Sequence, residues 1–383
     1  MTAWRQSVLR LERWFREDAA PLWHARGYDA ARGGFYETLD FAGAPVTGQP
    51  RRVRVQARQI HTFSQIASRG WAPEGEALAA RGFDYFLAKA CPNEGARGCV
   101  HHLSDDGAVL DDRRDLYDQA FLLLACASRW QAAKDQRALD LAERTIAFLN
   151  KELASPHGGW LESDRRELPR RQNPHMHLFE AFMALYRATD DNAYREYAAQ
   201  VYSLFEQVFF DAGEGVVREF FDEGLAAPSA DKGGLVEPGH MMEWVWLLGN
   251  QDLLFGTDSL ATMTRLYRRA EEIGLDEAGF LCDSLRLSHM GAPGPRRLWP
   301  QTEYIKAAIM LARRGDDAAA GRAGDVIDRL FETYLDQRIP GLWCDQFDDA
   351  GQPLAKDVPA SILYHLFEAV ADAADFAKAG DRP

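Results

Sequence analysis

Six polar residues recur along the chain at intervals of 59–64 residues, each near the start of a strongly apolar stretch. They are Arg58 in VRVQARQIHTFS, Tyr117 in DLYDQAF, His177 in NPHMHLFEAF, His240 in EPGHMMEWVW, Gln301 in WPQTEYIKA and His365 in PASILYHLFEA. A lone polar side chain on an apolar face is ordinarily a satisfied core group. Six in register are harder to explain that way, because burying them unpaired costs about 1–3 kcal/mol each. Their types suit proton transfer. An imidazole titrates near neutrality and serves as acid or base, and an arginine holds an oxygen on which negative charge develops. Two carboxylates follow at helical spacing, Glu180 three residues after His177 and Glu243 three residues after His240. Such neighbours share a helix face, so Glu243 is expected to orient His240 and raise its pKa.

The elements that must position these residues show as a repeat. Gly34, Gly98, Gly159, Gly215, Gly279 and Gly341 open GFYETLD, GCVHHLSD, GWLESD, GVVREFFD, GFLCDS and GLWCDQFD, one copy every 56–64 residues. A period of that length is the mark of a repeated supersecondary unit. Between copies the apolar residues follow a helical spacing, as with Leu139, Ala142, Ile146 and Leu149, or Tyr194, Tyr197, Val201, Leu204 and Val208. Two helices per period give an all-α chain of six helix pairs, with the glycine segments as short β-like loops. A closed (α/α)6 barrel, one domain over 1–383, is expected rather than an open superhelix. Closure brings the six polar residues to one end, near the positively polarised N-termini of the inner helices.

Composition narrows the function. The 383 residues carry a formal charge of −14, which argues against nucleic acid, whose binding needs clustered cations. The odd number of cysteines, five, contains no CxxC pair, so neither a disulfide framework nor a structural zinc site is expected, and a cytoplasmic location is the simple reading. The start MTAWRQSVLRLERWF reads as an amphipathic helix, and no apolar run reaches membrane-spanning length. No HExxH, phosphate-binding glycine loop or GxSxG elbow occurs, so neither a metal nor a cofactor is expected. Oligomeric state is open. Arginine pairs precede several inner helices: Arg51-Arg52, Arg113-Arg114, Arg170-Arg171 and Arg296-Arg297. Loop charges balanced by nearby acids are the simpler reading, and an anion-binding mouth is the alternative.

Two histidines and an arginine meet the minimum for moving a proton at C2 of an open-chain sugar through an enediolate without a metal. The stretches GGFYETLD, VQARQIHTFS, NPHMHLFEAFMALY, EPGHMMEW, LWPQTE and YHLFEA resemble the N-acylglucosamine 2-epimerase superfamily over nearly the whole chain. The EPGHMMEW and VPASILYH pattern is most similar to its D-mannose isomerases. The resemblance implies the barrel fold and a catalytic set of His240, His365, Arg58 and Glu243. It also implies a sugar pocket lined by Tyr117, His177, Glu180, Asn173, Trp299, Gln301 and Glu303. A small monosaccharide is then the expected substrate, with mannose–fructose isomerisation favoured. The alternatives are 2-epimerisation, isomerisation of a phosphorylated or sulfonated sugar, and glycoside hydrolysis, which needs two carboxylates flanking one bond.

Overall fold

Apolar periodicity decides where each helix lies. Helices wetted on one side carry a single apolar stripe: in Leu260–Gly274, only one face (Met263, Leu266, Tyr267, Ala270, Ile273) is buried, with Gly274 at its end. Helices enclosed on all sides are apolar almost throughout, as in Pro238–Phe255. The structure is a computed structural model that describes residues 2–227, 233–289 and 294–379. The inner helices are α3 (Val53–Ser68), α5 (Leu116–Ala133), α7 (Gln172–Thr189), α9 (Pro238–Phe255), α11 (Leu298–Arg313) and α13 (Ile362–Ala379). Outside them run α1 (Ala3–Trp14) continuing into α2 (Ala20–Arg26), then α4 (Gly75–Ala90), α6 (Gln136–Phe148), α8 (Asn192–Leu204), α10 (Leu260–Gly274) and α12 (Asp317–Glu332). Local chemistry sets several ends. Asp115, Asp135 and Asp191 cap N-termini by accepting from backbone N–H groups. Left-handed Lys134, Asp190 and Gly256 stop three inner helices.

The ring is closed. At each of its six junctions, the residues just before one inner helix pair antiparallel with the glycine segment of the next repeat, or come close to doing so. Arg51-Arg52 pairs with His102-Leu103, Arg170-Arg171 with Phe220-Phe221, Leu235-Val236 with Leu285-Arg286, and Arg296-Arg297 with Gln346-Phe347. A single bridge, Asp115 to Ser163, serves the second junction. The sixth joins the ends of the chain: Thr38-Leu39 pairs with Val358-Pro359, and Gln59 Nε2 donates to the Ala360 carbonyl at 2.7 Å. An open superhelix has no such last pairing, so the closed (α/α)6 barrel stands.

The recurrent glycine has a backbone cause. All six repeat glycines have φ between 61° and 90°, a region that L side chains enter only with strain. Each leads into a segment held by an inner helix or a neighbouring side chain. At Gly98 a Cβ would lie 2.0 Å from Gln119 Oε1, the atom that accepts the Cys99 N–H at 2.9 Å. Gly98→Ala should therefore cost about 1–3 kcal/mol. Gly321→Ala, in α12 with nothing within 4 Å of the added carbon, should be neutral or stabilise by up to about 1 kcal/mol. Urea denaturation of the two variants measures this, and equal stabilities would contradict the assignment.

Candidate active site

The first two turns of the inner helices carry most of the residues expected at the site, and the barrel brings them together at one end. Trp299 lies between the two principal histidines, with ring centroids 5.0 Å from His240 and 5.9 Å from His365. Arg58 Nη2 donates to Tyr117 Oη at 2.8 Å, and its guanidinium lies 4.1 Å from the Phe121 ring centroid. His177 packs beside Tyr117 and Phe121. Asn173, one turn before His177 on α7, places its amide nitrogen 3.0 Å from His240 Nε2. That amide serves either charge state: its NH2 donates to a neutral ring, or, turned over, its carbonyl accepts from an imidazolium.

The carboxylates are not where spacing put them. Glu243 does not hold His240: both its oxygens lack a hydrogen-bond partner, and it is buried on the axis. Burial, with Glu303 and Glu180 nearby, pushes its carboxyl well above the usual range. Helical spacing gives proximity but not direction, and the partner of His240 comes from the glycine segment of its own repeat, off the helix. Glu219 Oε2 accepts from His240 Nδ1 at 3.0 Å, and Glu237 lies 3.4 Å from the same nitrogen. Gln172 Nε2 donates to Glu219 while Gln172 Oε1 accepts from Trp244 Nε1, fixing the carboxylate.

Glu303 and Glu180, expected at the sugar, sit behind histidines instead. Glu303 Oε1 accepts from His365 Nδ1 at 2.9 Å, while its other oxygen lies 2.6 Å from the Lys306 ammonium. Glu180 accepts from His177 Nδ1 at 3.0 Å and from Tyr364 Oη at 2.5 Å. Gln301 is not a sugar ligand in this arrangement. Its amide accepts from Leu281 N–H and donates to the Leu281 carbonyl, pinning a glycine segment. Gln56 holds Phe35 and Gln119 holds Cys99 in the same way. Gln301 thus belongs to a set of structural staples two residues from the site-facing position, a distinction that a period near 60 residues does not resolve.

The arginine pairs are also structural. The first member tends to be buried against backbone: Arg51 donates to Gly33 O and to Asp29, and Arg170 to the carbonyls of Gly158, Trp160 and Glu223. The second meets the acid of its own repeat, as in Arg52–Glu37, Arg171–Glu162 and Arg297–Asp283. Glu219 is the same acid in the fourth repeat, where Val236 stands in place of the second arginine and the carboxylate turns to His240. That substitution was the available sequence signal for Glu219. Tyr364, Phe121 and Lys306 gave none beyond their apolar surroundings.

These surroundings set the two histidines apart. Burial favours a neutral imidazole at both. At His240 the charges of Glu219, Glu237 and Glu243 outweigh burial and lift the pKa to about 10. At His365 burial is reinforced by Arg58 and Lys306, and the pKa falls well below the ordinary value. The opposed shifts favour an imidazolium at His240 and a neutral imidazole at His365, and an ionised Glu303 would take the His365 Nδ1–H and leave the lone pair on Nε2. Titratable groups driven apart in this way are suited to acid and base roles. Ligand atoms of Glu219, Glu237 and His240, and of His177, Glu180 and Glu243, lie within 4.8 Å of one another. A cation at the first group would compete with the His240–Glu219 proton, and at the second with the His177–Glu180 hydrogen bond.

Comparison with known proteins gives the family. The model of the N-acylglucosamine 2-epimerase (GlcNAc 2-epimerase) family matches residues 34–369. The chain is 34% identical over 378 residues to a mannose-6-phosphate isomerase of Rhizobium meliloti (strain 1021), covering 95% of this chain and 96% of that protein. It is 27% identical to a D-mannose isomerase of Thermobifida fusca, covering 82% of each. Among solved structures, the cellobiose 2-epimerase of Bacillus thermoamylovorans B4167 superposes with a TM-score of 0.87 at 20% identity, over 96% of this chain and 98% of that one.

Glu219→Gln removes the charge closest to His240 while keeping the shape. The His240 pKa, read by NMR titration of the ring, should fall from about 10 by more than ~1 unit. An unchanged titration would mean that Glu219 does not set the charge of His240.

Proposed function

Because the chain belongs to the N-acylglucosamine 2-epimerase family, whose relatives are sugar isomerases and epimerases, we propose that it isomerises a free monosaccharide, interconverting D-mannose and D-fructose. The observation that carries this reading is the opposed pair at Trp299, a neutral His365 backed by Glu303 and a charged His240 backed by Glu219. In the proposed reaction His365 Nε2 takes the proton from C2 of the open-chain aldose, and the electron pair moves toward O1. The His240 imidazolium gives O1 a proton, so that a cis-enediol forms, while Arg58, held by Tyr117, carries the negative charge that develops on the way. His240 then takes the proton from O2 as the C2 carbonyl forms, and His365 returns its proton to C1 on the same face. Both histidines end as they began, and the aldose has become the ketose. Preorganised charges of this kind act mainly in the transition state.

The carboxylates speak against hydrolysis. Glu243 and Glu303 are closed off from solvent, and Glu303 is engaged by His365 and Lys306, so neither is free to flank a glycosidic bond. Charge pairing favours a neutral sugar. Among the described residues Arg52, Arg54, Arg171 and Arg297 at the mouth each meet a carboxylate. The likeness to a mannose-6-phosphate isomerase supports a second reading, a phosphorylated substrate. Among the described residues no helix is long and apolar enough to cross a membrane.

D-Mannose incubated in D2O should give fructose carrying deuterium at C1 where the shuttled proton has exchanged, with little glucose. Glucose deuterated at C2 as the main product would mean that His240 reprotonates the opposite face, which is epimerisation. Mannose 6-phosphate turned over with a much higher kcat/KM than mannose would replace the neutral-sugar reading. His365→Asn, folded, should lose on the order of 10²–10⁴ in kcat. Arg58→Lys keeps the charge but loses the planar fork, and should lower kcat more than it raises KM.

A further inference from the structure

Lys306 lies on the barrel axis with no exposed surface, a place where an ammonium is costly unless its charge is answered. It stands one turn after Glu303 on α11, with Nζ 2.6 Å from Glu303 Oε2 and 3.9 Å from the centroid of the Trp246 ring. The other Glu303 oxygen accepts from His365 Nδ1 at 2.9 Å. A chain therefore runs from a buried cation through one carboxylate to the imidazole proposed as the base. We propose that Lys306 is a positioning residue of the reaction, whose charge keeps Glu303 a carboxylate and so holds His365 with its hydrogen on Nδ1 and its lone pair on Nε2. The inference rests on the reading of His365 as base.

The alternative state shows why the charge matters. Burial drives the Glu303 carboxyl toward its neutral acid, and Lys306 is the first influence opposing it. A neutral Glu303 carries a hydroxyl that donates to Nδ1. The ring then takes the other tautomer, with hydrogen on Nε2 and no lone pair toward the sugar. The second-line carboxylate decides which nitrogen of a histidine is basic, and here the lysine decides the state of the carboxylate. The neighbouring groups do not replace it. Glu180 on α7 adds negative charge that raises the affinity of Glu303 for a proton, Glu243 on α9 is a buried carboxyl beside it, and Asp372 on α13 is paired with Arg313. His177 and Arg58 supply the remaining imidazole and guanidinium, and they are engaged by Glu180 and Tyr117.

The test uses full-length Lys306→Met and Lys306→Arg, with kcat and KM for D-mannose measured across pH and thermal unfolding followed alongside. In Lys306→Met the basic tautomer should return only where Glu303 ionises unaided. The acid limb of kcat/KM should move up by at least ~1 unit, with kcat at neutral pH down on the order of 10²-fold and KM little changed. Lys306→Arg, which restores a cation, should recover part of the shift. A loss equal at every pH, or a lowered unfolding temperature with the acid limb in its original place, would overturn the inference and leave Lys306 a structural ion pair. Should Lys306→Met not fold, Lys306→Gln, which keeps a polar group, is read by the same limb. His365→Asn in the same assay separates the two claims. If it is inactive while the Lys306→Met limb is unmoved, the lysine inference alone fails. If it is active, the reading of His365 itself fails.

Discussion

An imidazole taken out of water loses the solvation that stabilises its charged form, and its protonation state is then handed to whatever lies behind it. This is the constraint on which the site turns. The barrel axis buries His240 and His365 alike and gives each a carboxylate at about the same distance, 3.0 and 2.9 Å. The outcomes differ because the carboxylates differ in what else they serve. Glu219 is joined by Glu237 and, among the described residues, pairs with no lysine or arginine, so its charge falls on His240. Glu303 shares its charge with Lys306, and Arg58 stands nearby, so His365 stays neutral. In the proposed reaction two chemically identical side chains thereby serve as an acid and a base.

The rest of the barrel holds that contrast in place. Short ladders at the ring junctions and the Thr38–Pro359 closure fix the glycine segments over the inner helix N-termini. Side-chain amides at Gln56, Gln119 and Gln301 pin three of those segments to the helices that carry the site. Three repeats spend their acid on an arginine of the same repeat. The fourth lacks that arginine, and its acid becomes the charge partner of His240. The His240 partner is a local departure from a pairing that three other repeats keep.

Much of this was legible in the sequence. The glycine period and the paired helical stretches gave the barrel, since backbone strain at positive φ and one-sided burial leave direct marks on residue type. Arg58, Tyr117, His177, His240 and His365 were visible because polar residues opening apolar helices are rare. Spacing was less informative about partners. Glu243 shares a helix with His240, yet faces the axis, while Glu219 reaches His240 from 21 residues earlier through the turn of the fourth repeat. Gln301 shared the site's period but lies two residues out of its facing, which reverses what its amide touches. Lys306 was invisible because a single lysine in a helix reads as solvated, and only the closed axis shows what it meets.

The central claim is that the two histidines carry opposite charge states in the free enzyme. Neutron diffraction from a deuterium-exchanged crystal near neutral pH locates the exchangeable hydrogens on both rings directly. His240 with hydrogens on both nitrogens, and His365 with one hydrogen, on Nδ1 toward Glu303, is the expected result. Equal protonation of the two rings, or hydrogen on His365 Nε2, would contradict it.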